Sequence, residues 1–251
     1  MLPDLSSHFS HFIEANPGRL HAAAHSHHYW PDVAFAAQAQ CWRDAAMMAD
    51  LKWEHIFNSV IPLAQSNIAK ILNLPAASTI AFAPNTHDFV VQLLLSAAEN
   101  KSNKCRILTT DGEFHSFSRQ LERMEETQKY DVTRIPVEPF STFTERFINA
   151  ARQGYDMIFF SHVFFASGFL LDKLDQLIKE IINYSPVVVV DGYHSFMAVP
   201  LDLSQFADKV FFIAGGYKYA MAGEGVCFMH CPPNILPRPI ATGWFAAMGE
   251  L

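Results

Sequence analysis

Pro186-Val-Val-Val-Val-Asp-Gly-Tyr-His-Ser195 joins four consecutive valines to an acid and a glycine. β-Branched side chains are stiff and suit a pleated surface. A strand that is apolar on both faces is expected where helices cover both sides of a parallel sheet. The stretch therefore reads as a buried strand, with Asp191 standing where the chain leaves the sheet. Working outward, further short strands are expected over residues 78–83, 106–109, 131–135, 157–160 and 210–213. Between them the apolar spacing lengthens to three and four residues, which predicts helices over 53–74, 116–127, 142–151 and 172–184 and through Phe89, Val90, Leu93, Leu94 and Leu95. Pro62 should kink or split the first of these. Alternating strands and helices predict an α/β fold, a mostly parallel sheet flanked by helices.

The 251 residues are 50% hydrophobic and 17% charged, a composition that excludes wholesale disorder. Eighteen basic residues stand against 25 acidic ones, net −7, with no long basic run, so nucleic acid is not an expected partner. The first residues lack the basic and apolar segments of a secretion signal, and no uncharged apolar run approaches the roughly 18 residues of a membrane span. Cys41, Cys105, Cys227 and Cys231 are scattered rather than arranged as a disulfide framework, so a soluble cytoplasmic protein is expected. Residues 1–50 are expected to be an N-terminal segment packing on a large domain formed by 51–251.

In open α/β sheets ligands sit at the carboxyl ends of the strands. Those ends are polar here: Asn85, Thr86 and His87; Asp111 and Glu113; Ser161 and His162; Asp191 and His194; and Gly215, Gly216, Tyr217 and Lys218. A carboxylate at the end of a buried strand needs a cationic partner, and a protonated heterocyclic nitrogen would be one. An aspartate that only caps the next turn is the alternative on this segment alone. Lys218 follows a strand within a glycine-rich, aromatic turn, where a lowered pKa would suit an amine that forms a Schiff base. The competing reading is an ordinary surface lysine.

As an ordered pair, the Asp191 and Lys218 segments resemble the class V aminotransferase group of fold type I pyridoxal phosphate enzymes, in its kynureninase-like subgroup. The resemblance covers roughly residues 18–245. It implies that Asp191 pairs with the cofactor's ring nitrogen, Lys218 holds the cofactor covalently, and His194 lies beside it as a third catalytic residue. It further implies that Thr86 and His87, opening a helix, meet the phosphate together with Tyr217, and that Phe114 stacks on the ring, with His115 as competitor. Leu20 to Ser26 would be an opening strand and substrate-side loop, and Trp244 would lie near the phosphate or a dimer interface. Phe117 stands where kynureninases carry an acid, a departure from that subgroup, and Phe165 stands where many relatives carry an asparagine, which implies a more apolar pocket. The family's small C-terminal domain, source of a carboxylate-binding arginine, is expected to be absent. The implied partners are a small amino acid and a second copy of the chain. The implied activity is transamination or kynureninase-like hydrolysis; alternatives are cysteine desulfurase or selenocysteine lyase, and an inactive scaffold that dimerises or binds ligand without turnover.

Other constellations predict less. His21, His25, His27 and His28 with Cys41 fit no zinc spacing, and strand alternation puts Cys227, Met229 and Cys231 on one face with His230 on the other, so no metal is expected. Phe164 and Phe165 are candidate pocket walls, and Gly223-Glu-Gly225 is a tight turn after Lys218.

Overall fold

The computed structural model describes residues 4–235 and 239. Seven strands form one sheet: β1 Ile80–Ala83, β2 Cys105–Thr110, β3 Tyr130–Ile135, β4 Met157–Ser161, β5 Val187–Asp191, β6 Val210–Gly215 and β7 Cys227–His230. Their order is β1-β7-β6-β5-β4-β2-β3. From β6 to β3 every neighbouring pair is parallel, and β7 runs antiparallel to both β6 and β1. The expected mostly parallel sheet is thus observed, with one reversed strand let into it.

The helices are α1 Ser10–Ala15, α2 Asp32–Met48, α3 Lys52–His55, α4 Ile61–Ile71, α5 Thr86–Ala98, α6 His115–Glu125, α7 Phe140–Ala151 and α8 Leu174–Ile181. The valines of β5 divide between two cores as the strand period requires. Val188 and Val190 join Phe160 and Phe212 beneath Phe143 and Phe147 of α7 and Leu177 and Ile181 of α8. Val187 and Val189 join Phe159 and Phe211 beneath Leu93 of α5 and Phe117 of α6. Phe117 and Phe159 stack with centroids 3.7 Å apart.

The helix expected over 53–74 is split: α3 passes through a π-helical turn, Ile56–Val60, into α4. Pro62 falls in the first turn of α4, directly after the π-helical turn, whose Ile56 carbonyl accepts the Ile61 N–H. Residues 20–26, expected to open with a strand, form none. The Ala23 carbonyl instead accepts the Ser26 and His27 N–H groups at 2.9 and 2.8 Å, a tight turn that uses the donors a ladder would need.

Candidate active site

The ends of β5, β6 and β1 supply most of the site, and the segment after β2 adds Phe114. After Asp191 the chain turns immediately, with the Gly192 N–H donating to the Ile213 carbonyl at 2.8 Å. A Cβ on Gly192 would fall 1.9 Å from Phe212 Cζ, so only glycine allows the turn to pass over that buried ring. The turn delivers Tyr193 and His194 to the cavity. Beyond β6 the Gly216 N–H bonds to the Val226 carbonyl at 2.7 Å and the Ala222 N–H to the Gly216 carbonyl at 2.8 Å, closing a loop that presents Lys218. Beyond β1, Asn85 caps α5 by accepting the Asp88 N–H at 2.9 Å. The other N–H groups of that first turn have no intrahelical acceptor and carry the positive end of the helix dipole.

These segments enclose a cavity of about 480 Å³, with Thr86, His87, Phe114, Asp191, His194, Tyr217 and Lys218 in its wall. The structure therefore brings together seven of the eight expected site residues; Trp244 lies outside the described residues. Lys218 is only 5% exposed. Its Nζ hydrogen-bonds His194 Nε2 and lies 4.9 Å from the Tyr193 ring centroid and 5.6 Å from that of Phe114. Burial lowers the Lys218 pKa to about 8, against the opposing charge of Asp191. Burial also lowers His194 to about 4, helped by Lys218 and His25, so near neutrality the imidazole is uncharged and accepts a hydrogen bond from the lysine. Asp191 is raised to about 6 by burial, with the Tyr193 N–H at 2.9 Å and Lys218 pulling it back.

Phe114 stands across the cavity from this group, backed edge-on by Phe165 at 5.2 Å. His115, its competitor for the stacking position, turns to Phe165 at 5.0 Å and is not in the cavity wall. Phe165 therefore supports the wall rather than forming it. Phe164 is no wall either: it is buried in the sheet core, edge-on to Phe143 at 5.5 Å.

Other strand-end groups face elsewhere. Asp111 accepts the Val137 N–H at 2.8 Å, a turn role. Glu113 is buried; it takes the hydroxyls of Thr110 and Ser161, each at 2.6 Å, and burial raises its pKa to about 7. His162 is buried outside the cavity, and burial lowers it to about 4. Sequence reasoning did not single out Tyr193, Glu224 or Cys227 as wall residues. For Tyr193 the signal was its place two residues after Asp191. Cys227 packs in the core as expected but also reaches the cavity floor. Ser26 and His27, from the turn expected as a substrate-side loop, do line the mouth, and His27 lies 3.8 Å from Glu224. Among the described residues no group of three or more His, Cys, Asp or Glu is placed to hold a metal.

A buried amine of lowered pKa, a carboxyl at the same depth, an aromatic face and a helix N-terminus make four attachment points. They match a flat, phosphorylated pyridine aldehyde, which needs an amine for its carbonyl, an acid for its ring nitrogen, a stacking surface and an anion seat. The unpartnered, buried His87 Nδ1 beside the anion seat adds one more polar atom for such a ligand.

Residues 45–239 match the aminotransferase class-V family. Isopenicillin N epimerase of Streptomyces clavuligerus is 29% identical over 121 residues, 47% of this chain and 30% of the epimerase. Among solved structures, a mutant of C-DES with glycine covalently linked to its PLP cofactor superposes with a TM-score of 0.78 at 17% identity, over 93% of this chain and 60% of that one. The cysteine desulfurase CsdA of Escherichia coli gives 0.71 at 16% identity, over 84% of this chain and 54% of that one. The chain thus spans less than two thirds of the length of each of these proteins.

Proposed function

Because the chain belongs to the aminotransferase class-V family, we propose that it binds pyridoxal phosphate at Lys218 and acts on a small amino acid. The observation that carries this reading is the buried Lys218 amine, 5.6 Å from the Phe114 ring centroid and lining one cavity together with Asp191. When bound, the cofactor supplies an electron sink for the electrons left at the substrate Cα. A lysine of pKa about 8 is uncharged in about one molecule in ten at pH 7, enough to serve as nucleophile and then as the base that moves the Cα proton. Asp191 holds the proton of the ring nitrogen. Thr86, His87 and Tyr217 hold the phosphate, Phe114 covers the ring, and neutral His194 steers the lysine through the hydrogen bond between them.

Loss of the Cα proton opens transamination and kynureninase-like hydrolysis, the reactions proposed here. Epimerisation and carbon–sulfur cleavage, named among the similar proteins, are reactions at amino-acid centres that the same lysine could serve. We also propose that the working form is a pair of chains. Phe35, Trp42, Met47, Leu51 and Leu63 form an exposed apolar band on α2, α4 and the turn between α2 and α3, which a second copy would cover.

The test is the absorbance spectrum of the purified protein with pyridoxal phosphate, alongside Lys218→Ala, followed by borohydride reduction and mapping of the labelled peptide. A visible band lost in the variant, with label on Lys218, is expected. Kynurenine, alanine, cysteine and cystine are then screened as substrates. No band, or label spread over surface lysines, overturns the reading.

A further inference from the structure

Tyr193 leaves β5 two residues after Asp191, whose Oδ1 accepts the Tyr193 N–H at 2.9 Å. Its ring then crosses the end of β6. A Cβ on Gly215 would fall 2.1 Å from the Tyr193 hydroxyl oxygen and 2.2 Å from Cζ. The phenol therefore fills the volume in which a side chain at position 215 would begin. Gly215 is not in a left-handed conformation, so room for this ring is what the position demands of glycine.

That crossing brings the hydroxyl to a defined place. Gly215 pairs with Cys227 across the antiparallel ladder, and Tyr193 Oη lies 3.6 Å from Cys227 Sγ. The Thr86 backbone N–H bears on the same sulfur. The phenol thus stands at the first turn of α5, next to Thr86, in the part of the cavity wall that also holds Tyr217. A thiol sulfur is a weak acceptor, so the hydroxyl proton is only loosely committed. Burial and Cys227 both push the phenol pKa up, which keeps it a neutral donor.

We propose that Tyr193 is a phosphate-binding residue of this cavity: its hydroxyl turns from Cys227 to donate to the phosphate ester of the bound cofactor, and Gly215 is the cutout that lets it reach. The inference rests on the cofactor reading above and adds to it a donor supplied by the β5 turn. A role in packing alone would place the same ring against Gly215 but would not distinguish a phosphorylated ligand from an unphosphorylated one. That difference is what the test uses.

The dissociation constants of pyridoxal phosphate and of pyridoxal, which lacks the phosphate, are measured for wild type, Tyr193→Phe and Gly215→Ala by absorbance and fluorescence titration. Circular dichroism and thermal melting check that each variant is folded. Tyr193→Phe is expected to weaken pyridoxal phosphate about tenfold or more while changing pyridoxal by less than about twofold, the scale of one hydrogen bond to a charged group. Gly215→Ala should displace the ring and weaken pyridoxal phosphate as well. Tyr193→Ala in that background should bind no more weakly than Tyr193→Ala alone. Equal losses for both ligands, or none, in Tyr193→Phe overturn the inference while the cofactor reading stands. A wild-type protein that binds neither ligand overturns both.

Discussion

Replacing Glu113 by glutamine should flatten the pH dependence of stability of the cofactor-free protein. The carboxyl is 3% exposed, its Oε1 accepts the Thr110 hydroxyl at 2.6 Å and the Ser161 N–H at 3.2 Å, and its Oε2 meets the Ser161 hydroxyl at 2.6 Å. Burial, with a contribution from the nearby Asp191 charge, raises its pKa from 4.5 to about 7. The folded protein therefore keeps a proton that the unfolded chain releases. The stability tied to that proton is fully present below pH 4.5 and is lost as pH rises through about 7. Integrated from pH 5 to pH 8, the two pKa values give a loss of roughly 2–3 kcal/mol. Glutamine reproduces the protonated pattern: its carbonyl accepts Thr110 and Ser161, and its amide donates to Ser161 Oγ. Its second amide proton has no ready acceptor and costs about 1 kcal/mol at any pH. Urea denaturation of both proteins at pH 5 and pH 8 should therefore show the variant slightly less stable in acid and more stable at pH 8. The difference between the two should move by roughly 2–3 kcal/mol in favour of the variant. A constant offset across that range would refute the claim that Glu113 is buried with its proton on.

Two further outcomes follow from packing and exposure. Gly192→Ala places a methyl 1.9 Å from the fully buried Phe212 ring and should cost about 3 kcal/mol or more, part of which Phe212→Leu in the same chain restores; thermal unfolding reads both, and a Gly192→Ala protein as stable as wild type contradicts the described turn. If a second copy covers the apolar band, Trp42→Glu should shift the light-scattering mass from dimer to monomer with little loss of thermal stability, since Trp42 is 74% exposed; a wild type that is monomeric at every concentration refutes the pairing.

The strands were readable because burial on both sides forces continuous apolar runs: β5 differs from the expected 187–190 only by including Asp191. Asp191 and Lys218 were readable because charge directly after such a run has no packing reason to be there. Other features depend on contacts distant in sequence. Glu113 and Phe114 are neighbours at one strand end, yet one turns inward to Ser161 and the other faces the cavity. The direction of Tyr193 is set by a glycine on a different strand. Helix α2 was missed for a simpler reason: its large apolar residues, Phe35, Trp42 and Met47 among them, are exposed rather than gathered on one buried face, so no helical period stands out.

The reversed strand β7 also dictates an order of assembly. β1 pairs with β7 alone, residues 80–83 against 227–230. A chain emerging from the ribosome thus makes β1 early, but its seat in the sheet exists only after β7 has been made, beyond the lysine itself. Until then β1 is an unpaired edge, the kind of surface that invites mispairing. Since the loop to be closed spans more than half of the chain, docking of β1 is among the slowest contacts to form. The link between β1 and the first turn of α5, where Asn85 and Thr86 stand, is therefore fixed in the sheet only once the residues beyond Lys218 have paired.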